Sequence, residues 1–98
     1  MKVAFSDHAR AELLAIGDYI AKDSRRRASE FIEKLEKEVR QIGEMPNAFP
    51  LVPRYEQYEI RRRPFGNYLI FYRIDEDRVY IVHILHGAMD YESLLFDA

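Results

Sequence analysis

His86-Gly87, followed closely by Asp90-Tyr91-Glu92, gathers an imidazole, two carboxylates and a phenol in one short segment. A strand-end histidine beside acids and a tyrosine has the groups that acid–base chemistry needs. The plainer role is structural: a histidine bonded to nearby backbone or carboxylate, with Gly87 supplying an unusual backbone angle at the strand exit. A metal site is not expected. The histidines are His8, His83 and His86, and the odd spacing of the last two places them on opposite faces of a strand. The chain has no cysteine, which removes thiolate catalysis, disulfides and cysteine-bound zinc. No Gly-rich phosphate loop or Ser-His-Asp spacing stands out, and no cofactor is expected.

Arginine supplies the other chemistry. Arg61-Arg62-Arg63 reads as strand, so Arg61 and Arg63 share one face and Arg62 joins Ile60 on the other. With Arg73 on a neighbouring strand and Arg54 in the loop before, they form a basic patch suited to an acidic segment or to phosphates. The same charges would also protect an edge strand from aggregation. Arg25-Arg26-Arg27 stands at a helix start, where positive charge opposes the dipole; it is either a solvated turn or a contact patch. Tyr55, Tyr58, Tyr68, Tyr72, Tyr80 and Tyr91 can stack on nucleobases beside arginine, though such residues are also ordinary strand residues.

The elements that hold these residues are legible. Lys2–Phe5 is a short edge strand. Ser6 suits a helix N-cap, and Ala9, Leu13, Ile16 and Ile20 share one face of a helix from about Asp7 to Ala21, with Glu12 and Asp18 pointing elsewhere. Asp23 or Ser24 caps a second helix, whose stripe is Ala28, Phe31, Ile32, Leu35, Val39 and Ile42; Gly43 and Pro46 end it. Its Glu30–Lys34 and Glu33–Lys37 pairs are worth only about 0.2–0.5 kcal/mol each, so burial of the stripe must hold it. The proline-rich stretch 46–56 is irregular, and Tyr58–Pro64 is the next strand. Tyr68–Ile74 and Val79–His86 form a β-hairpin across Asp75–Arg78. Asp90–Phe96 is a closing helix or a further strand.

Strict alternation sets Val79, Ile81, His83 and Leu85 against Tyr80, Val82, Ile84 and His86. Both faces of the hairpin are then apolar, and both want cover. The helices can cover one. The other is covered by Leu94, Leu95 and Phe96 folding back, or by a partner peptide.

At 98 residues the chain is expected to form one domain, 1–98, and its net charge of −2 argues against bulk coating of DNA. No apolar run approaches the roughly 20 residues of a membrane span, and the N-terminus lacks a signal-peptide core. No membrane association and a cytoplasmic location are expected.

Taken in order, "MPNAFPLVP", "YEIRRRPFGNYLIFYRI" and "VYIVHILHGAMDYESLL" after two amphipathic helices resemble the ParE toxins of type II toxin–antitoxin modules, within the RelE/ParE superfamily. The most specific pieces are Phe71-Tyr72-Arg73-Ile74 and Ile84-Leu85-His86-Gly87, and the resemblance covers nearly the whole chain. It implies an α+β fold, with an N-terminal strand and an antiparallel helical hairpin packed on a twisted, mainly antiparallel sheet. It also implies action by binding, with DNA gyrase poisoned until a ParD-like antitoxin wraps the toxin, and promoter DNA bound only through that antitoxin. On this reading Arg54, Arg61, Arg63, Tyr68, Phe71, Arg73 and Tyr80 meet the antitoxin, and His86, Met89, Asp90 and Tyr91 meet the target. Met89 stands where family members often carry an arginine before an aspartate. The alternatives are a RelE-like, ribosome-dependent mRNA endonuclease using Arg61, Arg73, His86 and Tyr91, or a decayed toxin that only binds.

Overall fold

Ser6 starts the fold by serving two elements at once. Its hydroxyl accepts the Ala9 N–H at 3.0 Å, capping a helix, and donates to the Val82 carbonyl at 2.7 Å, tying that helix to the sheet. The computed structural model describes residues 1–96. Its order is β1 (Lys2–Phe5), α1 (Asp7–Ala21), α2 (Arg25–Glu44), a 3-10 turn (Glu56–Tyr58), β2 (Arg61–Phe65), β3 (Tyr68–Asp75), β4 (Arg78–His86) and α3 (Tyr91–Phe96). Ser24, not Asp23, caps α2, accepting the Arg27 N–H at 3.2 Å. No helix among the described residues is long and apolar enough to cross a membrane.

The four strands form one sheet in the order β1-β4-β3-β2, with β1 parallel to β4 and the other pairs antiparallel. The expected α+β architecture is therefore present. The helices cover one face, on which Leu35, Val39 and Ile42 of α2 pack with Ala9, Ile70, Tyr72, Val79, Ile81 and Ile84. Fully burying an aliphatic side chain of this size contributes about 1.5–3 kcal/mol, several times any helix-surface ion pair. The opposite face carries a second cluster of Val52, Phe71, Leu85 and Phe96. Its cover is the proline-rich loop and α3, which settles Asp90–Phe96 in favour of a helix. Phe96 is buried and Leu95 half-buried, but Leu94 is 52% exposed and takes no part in that cover.

Four local expectations change. Strict alternation in β4 fails at a β-bulge: Phe71 pairs with His83 but Tyr72 with Ile81, leaving Val82 unopposed. Val79, Ile81 and Ile84 consequently all face the helices, whereas Val82 and Leu85 join the outer cluster. The strand expected over Tyr58–Pro64 begins only at Arg61, because Tyr58 belongs to the 3-10 turn and Glu59 takes a left-handed φ of 59°. It runs through Pro64 to Phe65. Arg62 directs its N–H away from β3 to the Pro50 carbonyl at 3.1 Å, so Pro64, two residues on, lacks an N–H only on the open edge.

Both glycine roles also differ. Gly43 lies inside α2, buried against β1, where an added Cβ would stand 2.8 Å from the Met1 carbonyl oxygen. It permits close packing and does not end the helix. Gly87 lies outside the left-handed region, which among the glycines only Gly66 enters, at φ 57°. At Gly87 the constraint is space: a Cβ would meet the Asn67 carbonyl oxygen at 3.4 Å.

Candidate functional site

The segment that looked catalytic is a clasp. Asp90 caps the first turn of α3, accepting the Ser93 N–H at 3.4 Å and the Ser93 hydroxyl at 2.7 Å. The Tyr91 hydroxyl accepts from Arg62 at 2.7 Å, and its ring lies 5.0 Å from that of Phe71. Glu92 pairs with exposed Arg54 at 3.5 Å. His86 accepts the Ala88 N–H at its Nδ1 at 3.1 Å and meets Tyr68 edge-on at 5.4 Å. Each group binds its own chain and helps hold the C-terminal segment across the sheet. Met89 is 43% exposed and stands free of this set.

The β2 arginines are spent in the same way. Arg61 and Arg63 do share the helical face. Arg61 donates to the Phe49 carbonyl at 2.6 Å, while Arg63 pairs with Glu38 of α2 and lies over the Phe49 ring at 4.9 Å. With Arg63 only 15% and Glu38 26% exposed at the side chain, this ion pair is largely internal. Arg62, which sequence reasoning left out of every site, is the one that reaches Tyr91. Beside them Tyr72 is fully buried and donates to the Pro46 carbonyl at 2.6 Å. Burial pushes its phenol above the ordinary tyrosine range, and the Arg61 charge opposes that shift.

The residues expected to meet an antitoxin therefore do not form one patch. Phe71 is completely buried and has no surface to offer, because α3 and the proline-rich loop close over it. Arg61 is engaged by the Phe49 carbonyl of the proline-rich loop and Arg63 by Glu38 of α2. Arg73 lies over Tyr80 at 5.2 Å on the open part of the outer face, and Arg54 is exposed near α3. Tyr68 is half-buried under Phe31 of α2. The nuclease set is likewise scattered. Arg61 and Tyr91 occupy opposite faces of the sheet. Arg73 pairs with Tyr80 and His86 with Tyr68, five β3 residues apart, or about 17 Å along the strand.

Two features escaped the sequence. Glu12, expected to point away from the core, reaches β4: it binds His83 Nδ1 at 2.7 Å and accepts the Ile84 N–H at 2.8 Å. His8 stacks on His83 at 5.2 Å. β1 ends opposite Ile81, so Ser6 and Glu12 satisfy the strand edge that β1 leaves bare. No local signal announces a pairing across 71 residues. The second feature is a set of adjoining depressions, two beside β1 and one between α1 and α2. One of about 460 Å³ is lined by Met1, Val3, Phe5, Val39 and Gly43, and another of about 530 Å³ by Leu13, Leu14, Gly17 and Ile32. A third, lined by Phe5, Leu13 and Leu14, joins them. On this face Leu14 is 69% and Met1 54% exposed.

A family model described as the ParE toxin of a type II toxin–antitoxin system, parDE, matches residues 3–91. Among solved structures, a chain of the chromosomal ParDE TA system from P. aeruginosa superposes with a TM-score of 0.71 at 18% identity. The match covers 88% of this chain and 95% of that one, and at such identity it speaks for the fold alone. No curated protein matches in sequence.

Proposed function

The chain belongs to the ParE toxin family of type II toxin–antitoxin systems, and from that premise we propose that it poisons DNA gyrase by binding and is neutralised by a ParD-like antitoxin. The family match over residues 3–91 carries this reading. The scatter of the nuclease candidates favours it over mRNA cleavage: general acid–base chemistry needs its groups within hydrogen-bond reach of one substrate. Arg61 and Tyr91 lie on opposite faces, and His86 and Arg73 at opposite ends of β3 and β4.

In this proposal the antitoxin covers the apolar depressions along β1, α1 and α2, around Leu14 and Phe5, where large aliphatic side chains stand exposed. Arg54, Arg73, Tyr80 and Tyr68 remain candidates for its rim, and His86, Met89, Asp90 and Tyr91 for the gyrase contact. Promoter DNA is reached through the antitoxin.

Purified, antitoxin-free protein tests the reading in two assays. Loss of gyrase supercoiling with intact mRNA on translating ribosomes is expected; cleaved mRNA with normal supercoiling would transfer the protein to the endonuclease branch. Leu14→Glu should weaken antitoxin binding at least tenfold, about 1.4 kcal/mol, with the fold unchanged. Unchanged affinity would move the antitoxin off this face.

A further inference from the structure

Leu14 is 69% exposed, more than any other large hydrophobic side chain among the described residues. It stands between two depressions in the surface of α1, one of about 350 Å³ toward Phe5 and Arg10 and one of about 530 Å³ toward Gly17, Asp18 and Ile32. Arg10 lies one helical turn before it and Asp18 one turn after, and both are exposed. A cation, an apolar group and an anion therefore follow one another along a single helix face. Arg10 and Asp18 are about 12 Å apart along the axis, too far to pair with each other. Neither has an ion-pair partner among the described residues, although Arg25 of α2 lines the same depression as Asp18.

We infer that this face binds a second copy of the chain, the two α1 helices crossing antiparallel about a two-fold axis at Leu14. The pattern is its own complement. About such an axis, residues equidistant from Leu14 face each other, so Leu14 meets Leu14 and Arg10 of each copy meets Asp18 of the other. Ala11 falls opposite Gly17, two small residues that let the backbones approach closely. A parallel arrangement would set Arg10 on Arg10 and Asp18 on Asp18, and a partner of one charge would satisfy only half of the pattern. A single helix crossing belongs with the small interfaces, under about 1,200 Å² in all, so association is reversible and grows with protein concentration. The antitoxin is proposed to cover the same Leu14 and would compete for it. The dimer requires no antitoxin, so the two readings fail separately.

The test is sedimentation velocity of the purified, antitoxin-free chain over a concentration series at low salt, with the charges exchanged. Arg10→Asp alone sets acid against acid at both ends of the contact, and Asp18→Arg alone sets base against base. Each should dimerise at least about tenfold more weakly than the parent. In an equimolar mixture the first variant brings two acids and the second two bases, so the mixed dimer should recover the parent affinity, and lose it again in high salt. Both changes suit the dipole of α1, an acid near its start and a base in its last turn, and thermal unfolding of each variant checks the fold. Leu14→Glu should leave a monomer at every concentration. A parent that stays monomeric throughout, a dimer indifferent to Leu14→Glu, or a mixture no more associated than its components would overturn the assignment, whatever the antitoxin assay reads.

Discussion

Two runs of three arginines, Arg25-Arg26-Arg27 and Arg61-Arg62-Arg63, are alike in sequence and opposite in use. In β2 every guanidinium is taken: Arg61 by the Phe49 carbonyl, Arg62 by the Tyr91 hydroxyl, Arg63 by Glu38. At the start of α2 only Arg26 has an acid partner, and that pair is 89% and 53% exposed. Geometry makes the difference. A strand sends alternate side chains to opposite faces, so one run fastens α2 and the proline-rich loop on one side and α3 on the other. A first helical turn sends its side chains into solvent. The β2 run is architecture, and cations available to a partner stand on α2.

The sharpest break in that contrast comes at the internal ion pair. Glu38→Ala leaves Arg63 charged, largely buried and already lacking a partner for its Nε. Removing one end of a buried pair costs more than the pair contributes, and partial exposure moderates the loss. We expect about 2–3 kcal/mol less stability in urea unfolding. The double change Arg63→Met/Glu38→Leu should recover most of it, since it removes both charges and keeps the volume. A loss under about 0.5 kcal/mol for Glu38→Ala would mean this run is as solvated as the other.

A smaller effect is expected at the outer face. Tyr91→Phe takes away the acceptor of Arg62 while keeping the ring on Phe71, and should cost about 1 kcal/mol. Amide exchange should rise in α3 and stay unchanged in α2. Equal α3 exchange in Tyr91→Phe and the parent would mean that Arg62 does not fasten α3.

Tyr72→Phe should cost a similar 1 kcal/mol by deleting the bond to Pro46, and it adds a pH signature. The folded-state pKa of Tyr72 is raised above 10.0 by burial, with Arg61 and Arg63 pulling against it. Its contribution is therefore complete below pH 10 and is lost as pH rises through the folded value. Urea midpoints measured from pH 8 to 11 should fall less steeply for Tyr72→Phe than for the parent. Parallel curves would place Tyr72 ionisation outside the folding balance.

What the sequence made legible follows the range of the interactions. Ser6 as a cap, a second cap at Asp23 or Ser24, both amphipathic helices and the hairpin are set by residues within a turn or two, and all are found, with Ser24 the second cap. The match of Arg61 and Arg63 to one face and Arg62 to the other follows from strand period alone. Partners were not legible. Glu38 for Arg63, Tyr91 for Arg62 and Glu12 for His83 are joined by topology across long stretches of chain. The bulge at Val82 was hidden too, since it inserts one residue without changing composition. The candidate site suffered most, because exposed and spent arginines read identically.

The smallest effect tests the other half of the contrast. Three positive charges in the first turn of α2 face the positive end of its dipole, and no acid occupies that turn. Arg25→Glu reverses one charge at a position with no ion-pair partner among the described residues. Stability should rise by about 0.5 kcal/mol and the gain should shrink in high salt, because it is a surface electrostatic effect. The identical change at Arg62, whose hydrogen bond holds α3, should go the other way. A gain at Arg25 would mean this run stands against the stability of its own helix, as expected of charges kept for a partner. A loss there would mean that Arg25 supports the fold through a contact as necessary as those in β2, and the contrast between the two runs would disappear.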